Sequence, residues 1–475
     1  MSGLLEVAQW VGVAYVAGIN LGYLALTLVS FAVLTRRAQR TTADAVSTSD
    51  FEPPVSLVVA AYNEEAIVAA SVRSLMQLRY SQFEIIVVND GSTDRTLRVL
   101  RDAFGLRPFP EALRVRIPTA RVRGVYRSAR CPDLRVIDKE NGGKADASNA
   151  GINAARYPLV CVLDADGILQ PDSLSLAVRP FVDDARTVAS GGVVRIANGC
   201  DVVGGWLMRA GVPRSGLALC QVVEYCRAFL FGRVGWSHFN ALLVISGAFG
   251  VFHKDTVIEA GGYRTDVLGE DMELVIRLHR RLSAEGRPYR IAFAADPVCW
   301  TEAPESLGVL RRQRVRWQRG LCESLSLNRS LLFHRRGGAA GWIGFPFALI
   351  FEALSPLVEA CGYVLLGAGY LLGYVDLSVA LAFLAASIGL GVLLSVSSLL
   401  LDEMSFHTYP RLRHVLLLLL AAVGENFWYR QLNTAWRVEG LVRWLVRSRA
   451  VWGEMTRTAG WNSELDGTRA STERS

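Results

Sequence analysis

Two kinds of apolar run divide the chain. Short runs of four to six residues, rich in β-branched types, recur at Val55–Ala60, Phe83–Val88, Leu134–Ile137 and Leu159–Leu163. Each is bounded by polar or glycine-bearing residues and predicts a strand buried on both faces. Segments with helical spacing lie between them, at Ala66–Leu78, from about Thr96, and at Ala145–Ala155. Strands alternating with helices predict an α/β domain with a mostly parallel sheet and right-handed crossovers.

The second kind of run is long. Val11–Leu34 is 24 residues without a charge and Leu377–Leu401 is 25, each long enough to cross a bilayer. The pattern predicts an N-terminal membrane segment over residues 1–40 (span about 11–34) and a domain over 51–332. Membrane segments over 341–435 and a basic tail over 436–475, disordered at its end, complete the chain. Within 341–435 the spans fall at about 343–374, 377–401 and 414–430. The first holds Glu352, Pro356 and Glu359 and reads as an interfacial helix followed by a spanning one. The last is short, ends in Glu425, Asn426 and Arg430, and reads as re-entrant or interfacial. Residues 1–10 carry one Glu and no base, which argues against a signal peptide. Arg36, Arg37 and Arg40 follow the first span, and arginines fill the tail. The positive-inside rule therefore places the N-terminus outside and the 51–332 domain and tail in the cytoplasm. The reading is a multi-pass protein of the inner membrane.

Composition agrees with a soluble domain joined to membrane segments: 51% hydrophobic residues coexist with 20% charged, at a mean hydropathy of +0.27. The net charge of +7 lies largely in arginines beside apolar runs, where anionic lipid attracts them; no basic–aromatic pattern points to nucleic acid. Eight cysteines without a Cys-x-x-Cys read as reduced thiols, which excludes a zinc ribbon or disulfide framework.

The chemistry sits where strands end. Asp164-Ala165-Asp166 follows the 159–163 run at once. Two carboxylates there are costly unless a cation meets them, and Mg²⁺ or Mn²⁺ takes hard oxygen ligands from carboxylates, phosphates and water. The 55–60 run ends in Ala61-Tyr62-Asn63-Glu64, and the 83–88 run in Asn89-Asp90-Gly91-Ser92-Thr93-Asp94. Ligands of such sheets bind at these carboxyl ends, so a nucleotide should lie across Asp90, Asp164 and Asp166. Gly142-Gly143-Lys144 precedes a helix, where anions bind. Gly269-Glu270-Asp271 places acids in a loop before an amphipathic helix, Met272–Arg281. Arg311–Arg319 carries five arginines in nine residues; on a helix Gln313, Arg316, Trp317 and Gly320 share a face. Arginine grips phosphate oxygens and an indole offers a flat surface to a sugar ring. The remaining arginines suit a helix at the lipid surface.

These motifs together resemble family 2 glycosyltransferases of GT-A fold, in particular the processive, membrane-embedded branch with cellulose, chitin and hyaluronan synthases. The resemblance is strongest to bacterial poly-β-1,6-N-acetylglucosamine synthases and spans about residues 55–320. It rests on Ala61–Glu64, Asn89–Asp94, Gly142–Lys144, Asp164-x-Asp166, Ser246–Gly250, Gly269–Asp271 and Gln313-x-x-Arg316-Trp317. It implies Asp271 as general base, with Asp166 and Asp164 on Mg²⁺ or Mn²⁺. It implies Tyr62, Glu64, Asp90 and Lys144 on the uridine and phosphates, and Gln313, Arg316 and Trp317 on pyrophosphate and acceptor. Trp452-Gly453-x-x-x-Arg457 is similar to a Trp-Gly-x-Arg segment of hyaluronan and chitin synthases, with longer spacing.

The expectation is a processive inverting transferase that polymerises a sugar from a UDP-sugar, UDP-N-acetylglucosamine first, into a β-linked polysaccharide, coupled to export. Its partners would be the UDP-sugar donor, the growing polysaccharide acceptor, the bilayer and, as an open point, a small membrane subunit. Two rivals use the same pattern: a non-processive transferase acting on a lipid acceptor, and a non-catalytic nucleotide-binding export subunit. The first should lack Gln-x-x-Arg-Trp, and the second should have lost one of Asp90, Asp166 or Asp271.

Overall fold

A computed structural model describes residues 2–43, 52–203, 206–409 and 411–447. Trp452–Arg457 and the rest of the tail lie outside the described residues.

The described residues form twelve strands: β1 (Val55–Ala61), β2 (Phe83–Asp90), β3 (Leu106–Pro108), β4 (Val122–Ser128), β5 (Leu134–Lys139) and β6 (Leu159–Asp164), then β7 (Ile168–Leu169), β8 (Thr187–Ile196), β9 (Asp201–Val203), β10 (Trp206–Arg209), β11 (Phe249–His253) and β12 (Arg290–Thr301). Ten form one sheet in the order β3-β4-β5-β2-β1-β6-β11-β8-β12-β7, and β9 and β10 pair apart as a small hairpin. Only β4, β7 and β11 run against the rest of that sheet.

Side chains on the central strands alternate between two apolar layers, and both layers are covered. Leu57, Val59, Ile85, Val87, Cys161 and Leu163 pack on one side, with Val72, Leu100 and Leu174 from helices. Val58, Ile86, Val88, Ile137, Val160 and Val162 pack on the other, with Ala150, Leu274 and Leu278. A strand sandwiched between helices has no wet face, which is why these runs are mostly apolar and why their polar members, Ser56, Glu84 and Arg135, are buried with Glu84 bonded to the other two. The result is a three-layer α/β domain of GT-A type. Register aligns the strand ends: Ala61 lies opposite Asn89, Ala60 opposite Asp164, and Asp90 opposite Lys139.

Among the described residues two helices are long and apolar enough to cross a membrane, at Ala14–Arg36 and Ser387–Phe406. A third is added if Ala340–Ala353 and Ser355–Leu371, bent by 40° at a break before Pro356, count as one span. Exposed Leu21, Leu24, Leu28 and Phe31 line the first helix, as suits a lipid-facing surface. The chain is thus built to associate with a membrane. The 414–430 region forms a helix over Leu412–Gly424, a turn at Glu425–Phe427, and a final helix over Tyr429–Leu445. All eight cysteines are free.

One ion pair docks the sheet onto the membrane helices. Arg195 of β8 binds Asp402, at the end of the Leu377–Phe406 helix, through two bonds of 2.8 Å, and both side chains are almost wholly buried. Removing one partner of such a pair leaves a stranded charge and costs about 3–5 kcal/mol. Asp402→Ala should therefore lower the thermal unfolding midpoint in detergent, and Arg195→Met with Asp402→Leu should recover most of the loss. An unchanged midpoint for the single variant would show that the pair does not hold the docking.

Candidate active site

The strand ends bring four loops together. Asp90 anchors one of them. Its carboxylate accepts the Lys139 ammonium at 2.5 Å and the backbone N–H groups of Gly142 and Gly143 at 3.0 and 2.8 Å. Lys139 is fully buried and also pairs with Asp146 at 2.6 Å. Gly143 sits at φ +86°, a conformation that suits glycine, and leads into the Lys144–Ala154 helix. Asp90 thus lines the cavity and holds the loop that places Lys144. The Tyr62–Glu65 loop is fixed separately: the Asn63 and Glu64 N–H groups donate to Ser92 and Thr96 at 3.0 and 2.9 Å, and the Glu65 N–H to Asp94 at 3.1 Å. Tyr62 is left exposed at the cavity edge.

Lys144 reaches across the site. Its ammonium binds Asp164 at 2.5 Å and the Gly247 carbonyl at 3.1 Å. Burial works against its charge, yet Asp164, Glu270 and Asp271 outweigh burial and raise its pKa above the usual lysine value. The acids of Gly269-Glu270-Asp271 are not in a loop before the helix. The helix runs Glu270–Glu285, so both occupy its first turn, where the helix dipole favours a carboxylate. Asp271 accepts the Gly247 N–H at 2.8 Å and the Met272 N–H at 2.8 Å. Burial pushes the Glu270 carboxyl up to about 7, with Asp271 adding to the shift and Lys144 opposing it.

The arginine-rich segment is a helix, Leu307–Leu327, and Gln313, Arg316, Trp317 and Gly320 all line one cavity with the acids. Gln313 Oε1 is buried there without a hydrogen-bond partner among the described residues. Gly320 meets Gly269: a Cβ on Gly320 would come within 2.9 Å of the Gly269 backbone, so the acceptor-side helix touches the start of the acid-bearing one. Of the other arginines, Arg311 and Arg312 are exposed, whereas Arg314 and Arg319 are turned away from the surface. Arg314 is 3% exposed and bound to Glu224 at 2.6 Å, Arg311 pairs with Glu439 at 2.8 Å, and Arg319 with Glu323 at 2.7 Å. Glu224 and Glu439 come from other helices and are invisible as partners in the local sequence, whereas Glu323 lies one turn on in the same helix.

Asp164 and Asp166 supply hard carboxylate oxygen to the same cavity. Among the described residues no three His, Cys, Asp or Glu side chains form a closed metal cage. An open pair of carboxylates fits Mg²⁺ or Mn²⁺ sharing its ligand shell with phosphate and water, rather than zinc.

The cavity has a volume of about 1490 Å³ and does not stop at the α/β domain. Beyond Trp317 it is lined by Tyr23 of the first helix, Phe347, Glu352, Glu425 and Arg430. Glu224, Arg314 and Tyr429 also line it, and the sequence singled out none of them for the site. Their contacts join residues 90 to 205 positions apart, which no local pattern reveals.

Comparison with known proteins agrees with this geometry. The chain matches the Glycosyl transferase family 2 profile over residues 56–206 and the Glycosyl transferase family group 2 profile over 159–394. It is similar to a poly-beta-1,6-N-acetyl-D-glucosamine synthase of Staphylococcus aureus (strain COL), 31% identical over 269 residues, covering 56% of this chain and 54% of the relative. The same enzyme of Staphylococcus epidermidis is 29% identical over 267 residues, covering 56% and 54%. The chain therefore spans about half the length of the curated relatives it matches. Among solved structures it is similar to a mannosyltransferase of Pyrobaculum calidifontis in complex with GDP-Man and Mn²⁺, at a TM-score of 0.49 and 19% identity, covering 87% of this chain and 99% of that one. The two profiles together run from the first buried strand to the second long apolar helix, and the chain belongs to family 2 of the glycosyltransferases.

Proposed function

We propose that the protein is a processive, inverting glycosyltransferase that polymerises a sugar from a UDP-sugar into a β-linked polysaccharide and passes the product into its membrane helices. The observation that carries this reading is the single cavity shared by Asp164, Asp166 and Asp271, by Trp317, and by residues of the membrane helices. A transferase with a water-soluble acceptor that leaves after each addition has no use for a polar cavity continuing into the membrane segment, and one acting on a lipid acceptor should lack the Gln313-x-x-Arg316-Trp317 that lines it. The named relatives make poly-β-1,6-N-acetylglucosamine, so UDP-N-acetylglucosamine is the donor to test first. The α/β domain then works on the cytoplasmic face, because arginines follow the first span.

In this reading Asp166 and Asp164 hold Mg²⁺ or Mn²⁺, which when bound neutralises the charge of the leaving diphosphate. Tyr62, Glu64 and the loop held by Asp90 receive the uridine. Lys144 and Arg316 face the phosphates. Asp271 accepts the proton of the acceptor hydroxyl, its carboxylate steadied by the Gly247 and Met272 N–H groups. Gln313 Oε1 is a buried acceptor for a ligand hydroxyl or N–H. Trp317, 43% exposed within the cavity, offers the acceptor sugar a flat face.

Three outcomes are expected. Membranes carrying the protein should incorporate label from UDP-N-acetylglucosamine into polymer, and Asp271→Asn should lower turnover by about 10²–10⁴-fold while leaving donor binding nearly intact. Turnover above a tenth of wild type would move the base elsewhere, to Glu270 first. Asp166→Asn should weaken UDP binding only when Mg²⁺ or Mn²⁺ is present, and equal losses with and without EDTA would remove Asp166 from the metal. The third outcome concerns pH. Folding raises the Glu270 carboxyl from 4.5 to about 7, so it favours the protonated form. That contribution is full below 4.5 and is lost as pH rises through about 7. Glu270→Gln should accordingly raise the unfolding midpoint relative to wild type more at pH 8 than at pH 5. A difference that does not change with pH would show that Glu270 is not held protonated.

A further inference from the structure

Beneath Trp317 lies a polar triangle drawn from three separate helices. Glu224 comes from the Gly216–Cys226 helix, Arg314 from the Leu307–Leu327 helix and Tyr429 from the first turn of the Tyr429–Leu445 helix. The Tyr429 hydroxyl donates to Glu224 Oε2 at 2.6 Å, and Arg314 Nη2 donates to the same oxygen at 2.6 Å and to the Tyr429 oxygen at 3.1 Å. The guanidinium carbon of Arg314 stands 4.3 Å from the centroid of the Trp317 ring. All four side chains border the cavity.

This arrangement is poorly suited to stability alone. A buried charge pair adds little over apolar residues of the same volume, and Arg314 keeps Nε and Nη1 buried without hydrogen-bond partners among the described residues. What the triangle does is geometric. The guanidinium is held at one nitrogen, Nη2, between the Glu224 carboxylate and the Tyr429 hydroxyl, and its charge lies over the Trp317 ring, so where those two oxygens stand decides where the cation meets the indole. The last helix is itself fixed along the acceptor helix at a second point. Arg437 Nε donates to Gln318 Oε1 at 2.8 Å, and a Cβ on Gly440 would come within 2.8 Å of the Val315 carbonyl oxygen.

We propose that Tyr429, acting through Glu224 and Arg314, is a positioning residue for the acceptor: the last helix sets the plane of the Trp317 ring on which the growing chain rests. The inference rests on the reading of Trp317 as the acceptor platform. Tyr429 touches neither donor nor reacting atoms, so its loss should leave donor binding and the pH profile of turnover as they are. It should act on retention of the chain.

The test is product length on a sizing gel at equal donor turnover, using the full-length protein in membranes, for Tyr429→Phe, Trp317→Ala and the double variant. Tyr429→Phe should shorten the product roughly threefold, as expected when part of one charge-assisted hydrogen bond reaches the stack. UDP binding should stay within about twofold. The double variant should be no worse than Trp317→Ala alone, because a residue that works only through the indole has nothing left to position. Shortening in Trp317→Ala with none in Tyr429→Phe would overturn the inference and leave the platform standing. Unchanged length in Trp317→Ala would overturn the platform, and the inference with it. A double variant worse than both singles in proportion would show that Tyr429 acts by general packing. Should Tyr429→Phe fail to fold, the isosteric Glu224→Gln carries the same test, since it breaks the same triangle from another helix.

Discussion

Carboxylates converge on this site faster than cations do. Asp164, Glu270 and Asp271 all act on one ammonium, Lys144. They arrive from different directions: a strand end for Asp164 and a helix start for the other two. Like charges held this close cannot all stay ionised without positive charge among them. Lys144 supplies part of it through its bond to Asp164, and Glu270 relieves the rest by holding its proton toward neutral pH. The site is therefore arranged to gain from a divalent cation, whose charge would offset these carboxylates together with a bound diphosphate. The loop held by Asp90 and Lys139 matters for the same reason, since it fixes where Lys144 begins its helix.

A second constraint couples the α/β domain to the membrane. The sheet is tied to an apolar helix by Arg195 and Asp402. The acceptor helix is tied to the last helix by Gln318 and Arg437 and by the Glu224–Arg314–Tyr429 triangle. These links use charged and amide groups at the edges of apolar segments, where water is scarce and an unmatched partner is costly. Such links hold the cavity open as one space, because its two halves cannot drift apart without stranding a charge.

Much of this was legible in the sequence, and the reason is local. The runs at Val55, Phe83, Leu134 and Leu159 are largely apolar because the strands they form are covered on both sides. Asp90, Asp164 and Lys144 could be placed at one edge because parallel strands end together. The failures are equally physical. The acids at Glu270 and Asp271 read as a loop because the preceding glycine looks like a break, whereas Gly269 is there to let Gly320 approach. Arg311, Arg314 and Arg319 read as a lipid-facing surface because a basic run names no partner; Glu439, Glu224 and Glu323 lie at distances along the chain that no helical period relates, save the last. Tyr429 follows an apolar segment and carries no motif at all.

The touching backbones of Gly269 and Gly320 give the site its internal ruler. One helix begins at that contact with Asp271, and the other carries Trp317 less than a turn before it. The separation of Asp271 and Trp317 is thus set by main chain against main chain, with the Leu268 N–H held by Glu323 at 3.0 Å and the Ser324 hydroxyl donating to the Gly269 carbonyl at 3.3 Å. A Cβ at Gly269 would come within 3.1 Å of Gly320, and one at Gly320 within 2.9 Å of Gly269, so a side chain at either position would force main chain to shift. Orientation within that fixed distance is then left to the groups packed around the indole. Division of labour follows: glycines set how far Trp317 lies from Asp271, and the polar triangle of Glu224, Arg314 and Tyr429 meets the indole from the other side.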